Sequence, residues 1–160
     1  MNLFTTTMII LEINNYQLGE RPDVTKPDPE FFKHMGEEGI RAMVSRHYDL
    51  MRQSDIKGLF STNDEEFTMQ KQHSADFMVQ ICGGTDYYNQ RRGKPMMINR
   101  HAASSITPEG RLVWLNCYKQ VLLELNIPES AILSFWNYIN VFSAWMVNTP
   151  TKTYKIDGKL

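Results

Sequence analysis

Four polar side chains fall on helical stripes that are otherwise apolar: His47 and Tyr48 on one, Gln70 and Ser74 on the next. An imidazole, a phenol, an amide and a hydroxyl each cost about 1–3 kcal/mol to bury without a hydrogen-bond partner. Two readings are open. The four satisfy one another or nearby backbone, or they line a small cavity that holds a polar ligand. His101 stands apart, in an irregular segment between Arg100 and Ala102-Ala103. A single imidazole there is either a surface side chain or one axial ligand of a metal cofactor whose other ligands are not protein.

Other chemistries lack the spacing they need. His34, His47, His73 and His101 form no HExxH or similar pair, so a cage of histidines around a metal is unsupported. Cys82 and Cys117 have no close-spaced partner, which argues against a Cys-rich metal site or a disulfide scaffold and for a reducing, cytoplasmic setting. Ser104-Ser105 near His101 lacks an acidic residue at a telling distance and a nucleophile elbow. Gly83-Gly84 and Gly93 make no phosphate loop, and Asp64-Glu65-Glu66 is accounted for by the dipole of the helix it opens. Lys plus Arg number 17 against 18 Asp plus Glu, a net charge of −1, which argues against nucleic acid or an anionic membrane as the main partner. The apolar stretch Met8 to Leu11 is short, has no basic region before it and meets Glu12, unlike a signal peptide or membrane span.

The elements that must position these residues are helices. Ile40, Met43, Val44, His47, Tyr48 and Met51 lie on one face of a helix over 37–51. The run Ser61-Thr62-Asn63-Asp64 offers N-caps for a second helix over 64–81, whose stripe is Phe67, Gln70, Ser74, Phe77, Met78 and Ile81. Residues 85–106 read as mostly loop, with at most a short helix near Met96–His101. Thr107 and Pro108 open a helix over 108–125, and Pro128 one over 128–147. These last two helices read as plain core. Ten Met, 8 Phe, 7 Tyr and 3 Trp within 160 residues either fill a core or line a pocket for a flat organic ligand. The expectation is an all-α domain over 30–150, with an arm at 1–29 lying outside the core, over the first helical pair, and a solvated tail at 151–160.

From about Glu37 to Pro150 the sequence resembles the truncated haemoglobins, and within them the second group. The resemblance rests on an ordered set of blocks: Arg46-His47-Tyr48; Gly58-Leu59-Phe60; Phe77-Met78-Val79-Gln80 with Gly83-Gly84; Tyr88, Gly93-Lys94-Pro95-Met96 and Arg100-His101; Ile106, Arg111 and Trp114-Leu115-Asn116-Cys117; and Val147-Asn148-Thr149-Pro150. It implies a two-over-two helical sandwich around haem b, with His101 as the proximal iron ligand. Tyr48 and Trp114 would be distal hydrogen-bond donors to dioxygen, with Gln70 and Ser74 at the two distal helix positions. Phe60, Phe77, Met78, Met97 and Ile106 map to apolar haem contacts, and Arg100 to a propionate partner.

Three departures stand out. His47 occupies a place where the family usually has Phe, adding a polar group to the distal set. Ala102-Ala103-Ser104-Ser105 replaces a common Pro-Phe element, and the pair Gln70/Ser74 is more polar than in many members. The implied function is binding of dioxygen, NO or CO, extending to NO consumption or peroxidase-like chemistry with a reductase as partner. A distal side chain, His73 or His47, as sixth iron ligand is a further reading. The alternative from another class is a haem-free globin-like interaction or sensor domain.

Overall fold

The computed structural model describes residues 9–151; the first eight residues of the arm and the tail after 151 lie outside this range. Within it the chain is helical, with no strand: α1 (Pro29–Arg52), α2 (Asp64–Ile81), α3 (Tyr87–Arg92), α4 (Met97–His101), α5 (Pro108–Leu123) and α6 (Glu129–Met146), plus a 3₁₀ turn at Lys57–Leu59. None of the helices described is long and apolar enough to cross a membrane.

Caps fix the long helices where the sequence offers them. Asn63 accepts from the Glu66 N–H at 3.0 Å and Thr107 from the Gly110 N–H at 3.0 Å, each satisfying one of the free donors of a first helical turn. The first helix begins eight residues earlier than the periodicity suggests. Asp28 caps Glu30 at 2.9 Å with Pro29 in the first turn, and the helix kinks at Gly36, whose φ of 64° suits glycine. The kink lets the opening turn fold back on the core, where Phe31 stacks on Phe135 at 4.6 Å. Gly84 makes room for it: a Cβ there would meet the Phe32 ring at 2.6 Å and Val79 at 2.7 Å.

Helix α1 packs against α2, α5 and α6, and α5 against α6. Their shared core is fully buried at Ile40, Val44, Val79, Leu115, Tyr118, Leu122, Phe135 and Ile139, each contributing roughly 1.5–3 kcal/mol through loss of apolar surface to water. The segment 85–106 holds one more helix than expected, α3, which lies on α2. The buried carboxylate of Asp76 holds it, receiving Arg41 of α1 at 2.8 Å and Arg91 of α3 at 2.9 Å.

The N-terminal arm differs from expectation in two ways. Leu11 is buried within the core, and the arm lies along the last helix rather than over the first helical pair. Trp136 Nε1 and Asn140 Nδ2 donate to the Glu12 carbonyl at 2.9 and 2.8 Å, and Trp145 Nε1 to the Pro22 carbonyl at 2.8 Å. Nor is the second helical pair plain core. Arg111 is buried, donating to Asn14 O at 2.9 Å, Ser143 Oγ at 2.9 Å and Asn140 O at 2.5 Å. Its guanidinium reads α5, α6 and the arm at once.

Replacing Arg111 with Met would leave four oxygens, Asn14 O, Ser143 Oγ, Asn140 O and Asn140 Oδ1, short of a charged donor. Urea denaturation is expected to show a loss of about 3 kcal/mol, with hydrogen exchange at the arm, the Asn14 amide included, rising more than that of α1.

Candidate functional site

Between the long helices lies a cavity of about 360 Å³, within the size range of small-molecule sites. Every residue of the set named above lines it except His47. Helix α1 contributes Tyr48, and the loop before α2 contributes Phe60. Helix α2 adds Gln70, Ser74, Phe77 and Met78. Met97, Arg100 and His101 come from α4, Ile106 from the chain after it, and Trp114 from α5.

His101 Nδ1 lies 2.6 Å from the Met97 carbonyl. A carbonyl only accepts, so Nδ1 carries a proton, and in an uncharged imidazole held this way the lone pair lies on Nε2. This carbonyl-oriented tautomer is the one that ligates metals through Nε2. Among the described residues no group of three or more His, Cys, Asp or Glu is arranged around a metal ion. A metal held at His101 would therefore take its remaining ligands from elsewhere. Arg100 is pinned by three backbone carbonyls, at Pro95 (2.7 Å), Arg92 (2.7 Å) and Lys94 (3.1 Å). That bends residues 92–100 into a compact turn and leaves part of the guanidinium for an acidic group at the cavity.

On the other wall, burial pushes the Tyr48 phenol up, with the Ser74 hydroxyl pulling in the opposite direction; the phenol stays a donor at neutral pH. Its ring is braced by Phe60 at 5.3 Å and Phe67 at 6.1 Å. Gln70 Oε1 accepts from the Ser61 N–H at 3.1 Å, so its amide NH₂ is the end left over. Trp136 and Trp145 give their indole N–H groups to arm carbonyls; Trp114 is the tryptophan that lines the cavity. Two protic donors from different helices thus share a mostly apolar chamber with the His101 imidazole, and His73 lies at its rim.

His47 behaves differently from the distal role expected of it. It is fully buried behind the wall, its Nε2 at 2.9 Å from the Trp114 carbonyl and its ring stacked on Tyr118 at 3.5 Å. Its place one residue before Tyr48 rotates it by about 100° around the helix, onto the seam with α5. Burial drives its pKa down to about 3, against a smaller opposing effect of the Trp114 bond. The ring is neutral, Nε2–H donates, and neither Nδ1 nor the Tyr118 hydroxyl finds a protein partner. His73 does reach the cavity rim, where Nδ1 meets Arg92 at 2.8 Å; burial and then Arg92 hold its pKa down.

The sequence reading missed several lining residues. Phe142 and Met146 of α6 share the stripe that fills the core, so spacing alone could not separate cavity wall from core. Tyr88 and Arg92 belong to the unexpected α3. Tyr88 lies edge-on to Phe77 at 5.8 Å and beneath the Arg100 guanidinium at 5.2 Å.

Comparison with known proteins places this geometry. The family model described as bacterial-like globin matches residues 30–148. A curated relative, group 2 truncated hemoglobin 3-1 of Lotus japonicus, is 29% identical over 98 residues, covering 59% of this chain and 57% of the relative. The chain thus spans little more than half of that protein's length. A crystal structure of phosphate-bound Hell's gate globin IV superposes with a TM-score of 0.80 and 35% identity, covering 87% of each chain. The group II truncated hemoglobin of Bacillus anthracis gives a TM-score of 0.67 at 24% identity, covering 76% of this chain and 98% of its own, a likeness of fold alone.

The depressed pKa of His47 has a measurable consequence. The unfolded chain takes up a proton near pH 6.5 that the folded chain refuses until about pH 3. Stability from this group is therefore full above about 6.5 and falls by roughly 1.4 kcal/mol per pH unit below it. Urea melts at pH 7 and pH 5 are expected to differ by about 2 kcal/mol more in the native chain than in His47→Phe.

Proposed function

The chain belongs to the bacterial-like globin family, and from that premise we propose that it binds haem b through His101 and takes up dioxygen or another diatomic ligand in the cavity. One observation carries the proposal. The proton of His101 is committed to the Met97 carbonyl at 2.6 Å, leaving a metal-binding lone pair in the wall of a chamber that also contains Tyr48 and Trp114. The donor set suits haem: one imidazole, an apolar lining from Phe60, Phe77, Met78, Met97 and Ile106, and the Arg100 guanidinium for a propionate.

When bound, haem supplies a redox-active iron with a coordination position for a diatomic ligand. The protein's part is positioning and hydrogen bonding. The Met97 carbonyl fixes the orientation of the His101 ring. The Tyr48 O–H and Trp114 N–H would be the donors to a ligand carrying partial negative charge, and such charge-assisted bonds are about twice as strong as neutral ones. Gln70 and Ser74 place further donors on the same wall. Two donors favour slow release of dioxygen, which suits redox chemistry or sensing better than bulk transport. Oxidation of NO by dioxygen to nitrate is the reaction we assign; it consumes one electron per turnover, which a reductase supplies.

Spectroscopy tests this directly. Protein reconstituted with haemin is expected to show a Soret band and, after dithionite and carbon monoxide, a shifted one; His101→Ala is expected to lose both. Absence of a Soret band in the native chain would favour a haem-free globin-like domain. In stopped-flow measurements Tyr48→Phe is expected to release dioxygen about tenfold faster, equivalent to about 1.4 kcal/mol of lost hydrogen bonding; an unchanged rate removes Tyr48 as the donor.

A further inference from the structure

Helix α4 has little to hold it in place. It is five residues long, has no buried residue and packs only on α6 among the helices. It starts at Met96, held in the left-handed region at φ 41°, a strained conformation for a side chain of this size. After His101 the chain runs without regular helix to Thr107. The three carbonyls that grip Arg100 all belong to residues 92–95, so they tie α4 to the end of α3 and leave the chain after His101 unheld by them. Behind it is a gap of about 250 Å³, bordered by residues 102–105, Trp145 and Asn148. Apolar packing on this segment is confined to partly buried side chains, Met97 among them.

Asn148, two residues past the end of α6, ties the segment down by hydrogen bonds. The Asn148 side-chain Nδ2 donates to the carbonyls of His101 at 3.2 Å and Ser104 at 2.9 Å. Its Oδ1 accepts the Ile106 N–H at 3.0 Å, and the backbone N–H groups of Asn148 and Thr149 both donate to the Ile106 carbonyl at 3.0 Å. The Thr149 hydroxyl donates to the same Oδ1 at 2.8 Å and so sets which end of the amide faces which partner. We propose that Asn148 is a positioning residue: its amide couples the rigid end of α6 to the chain on either side of His101 and thereby sets where the imidazole stands. The metal-ligating part of this role rests on the haem reading above; the tether itself does not.

An amide is what the position requires. Aspartate keeps the acceptor for Ile106 but loses both donors, and alanine loses everything. Hydrogen exchange on the chain without haem reads the tether directly. Amides of residues 101–106 are expected to exchange about tenfold faster in Asn148→Ala. In Asn148→Asp the Ile106 amide alone is expected to stay protected. Unchanged exchange in both variants would overturn the proposal. Should either variant lose protection throughout α5 and α6, Thr149→Val, which frees the amide to turn, replaces it as the probe with the same expected pattern. In haem-loaded protein the iron–imidazole stretching band of the ferrous form is expected to broaden or shift in both Asn148 variants, and haem transfer to excess apomyoglobin to quicken about tenfold. Faster exchange with an unmoved band and transfer rate would reduce Asn148 to a staple of the loop and overturn the positioning role. If the native chain takes up no haem, the functional reading fails while the exchange pattern still decides the tether.

Discussion

The seam between α1 and α5 is the contact on which the cavity depends. Tyr48 and Trp114 lie 66 positions apart on different helices, and they line one chamber because the helices beneath them are locked. The lock is His47. It donates to the Trp114 backbone, stacks on Tyr118 and meets the Trp114 ring edge-on at 5.2 Å, while Tyr118 in turn packs on Phe135 at 5.5 Å. His47, Tyr118 and Phe135 are buried, so water weakens their contacts little, and the two donors inherit their spacing from the packed backbones beneath them.

The opposite wall obeys different physics. Helix α4 there buries no side chain fully, and hydrogen bonds to local carbonyls and to the end of α6 supplement the partial packing of Met97. A cavity with one rigid and one tethered wall suits a large planar guest. The donors stay preorganised, which limits the reorganisation needed when charge develops on a ligand, while the lighter wall carries the imidazole on a segment that local opening could release.

Much of this was legible in the sequence. Apolar spacing at three and four residues found four long helices, and polar residues on those stripes marked one wall of the cavity, because a phenol or amide on an apolar stripe demands a reason. Periodicity says which face of a helix is covered but not by what, so His47, one position from Tyr48, could not be assigned to seam or cavity. Phe142 and Met146 were hidden the same way. The arm was misjudged because its anchors are indole N–H and amide groups from α6 reaching backbone carbonyls at Glu12 and Pro22, and a carbonyl leaves no mark in a sequence. Arg111 was visible as a residue, yet only the folded chain shows that it joins α5, α6 and the arm.

These peripheral pieces share one difficulty. Ordering the six residues of α3 costs about 6–12 kcal/mol of backbone entropy, whereas its one buried side chain, Tyr88, returns roughly 2–3 kcal/mol. Helix formation and apolar burial together do not specify where such a segment sits. Asp76 does so for α3 by drawing Arg41 and Arg91 to one buried carboxylate, and Arg111 does so for the arm. A buried ion is no more stabilising than a well-packed hydrophobe of the same volume, but it accepts far fewer arrangements. Where position matters and apolar surface is scarce, the fold places a polar group with several fixed partners. Helix α4, which carries His101, buries no side chain fully, and there the same solution takes its uncharged form in the amide of Asn148.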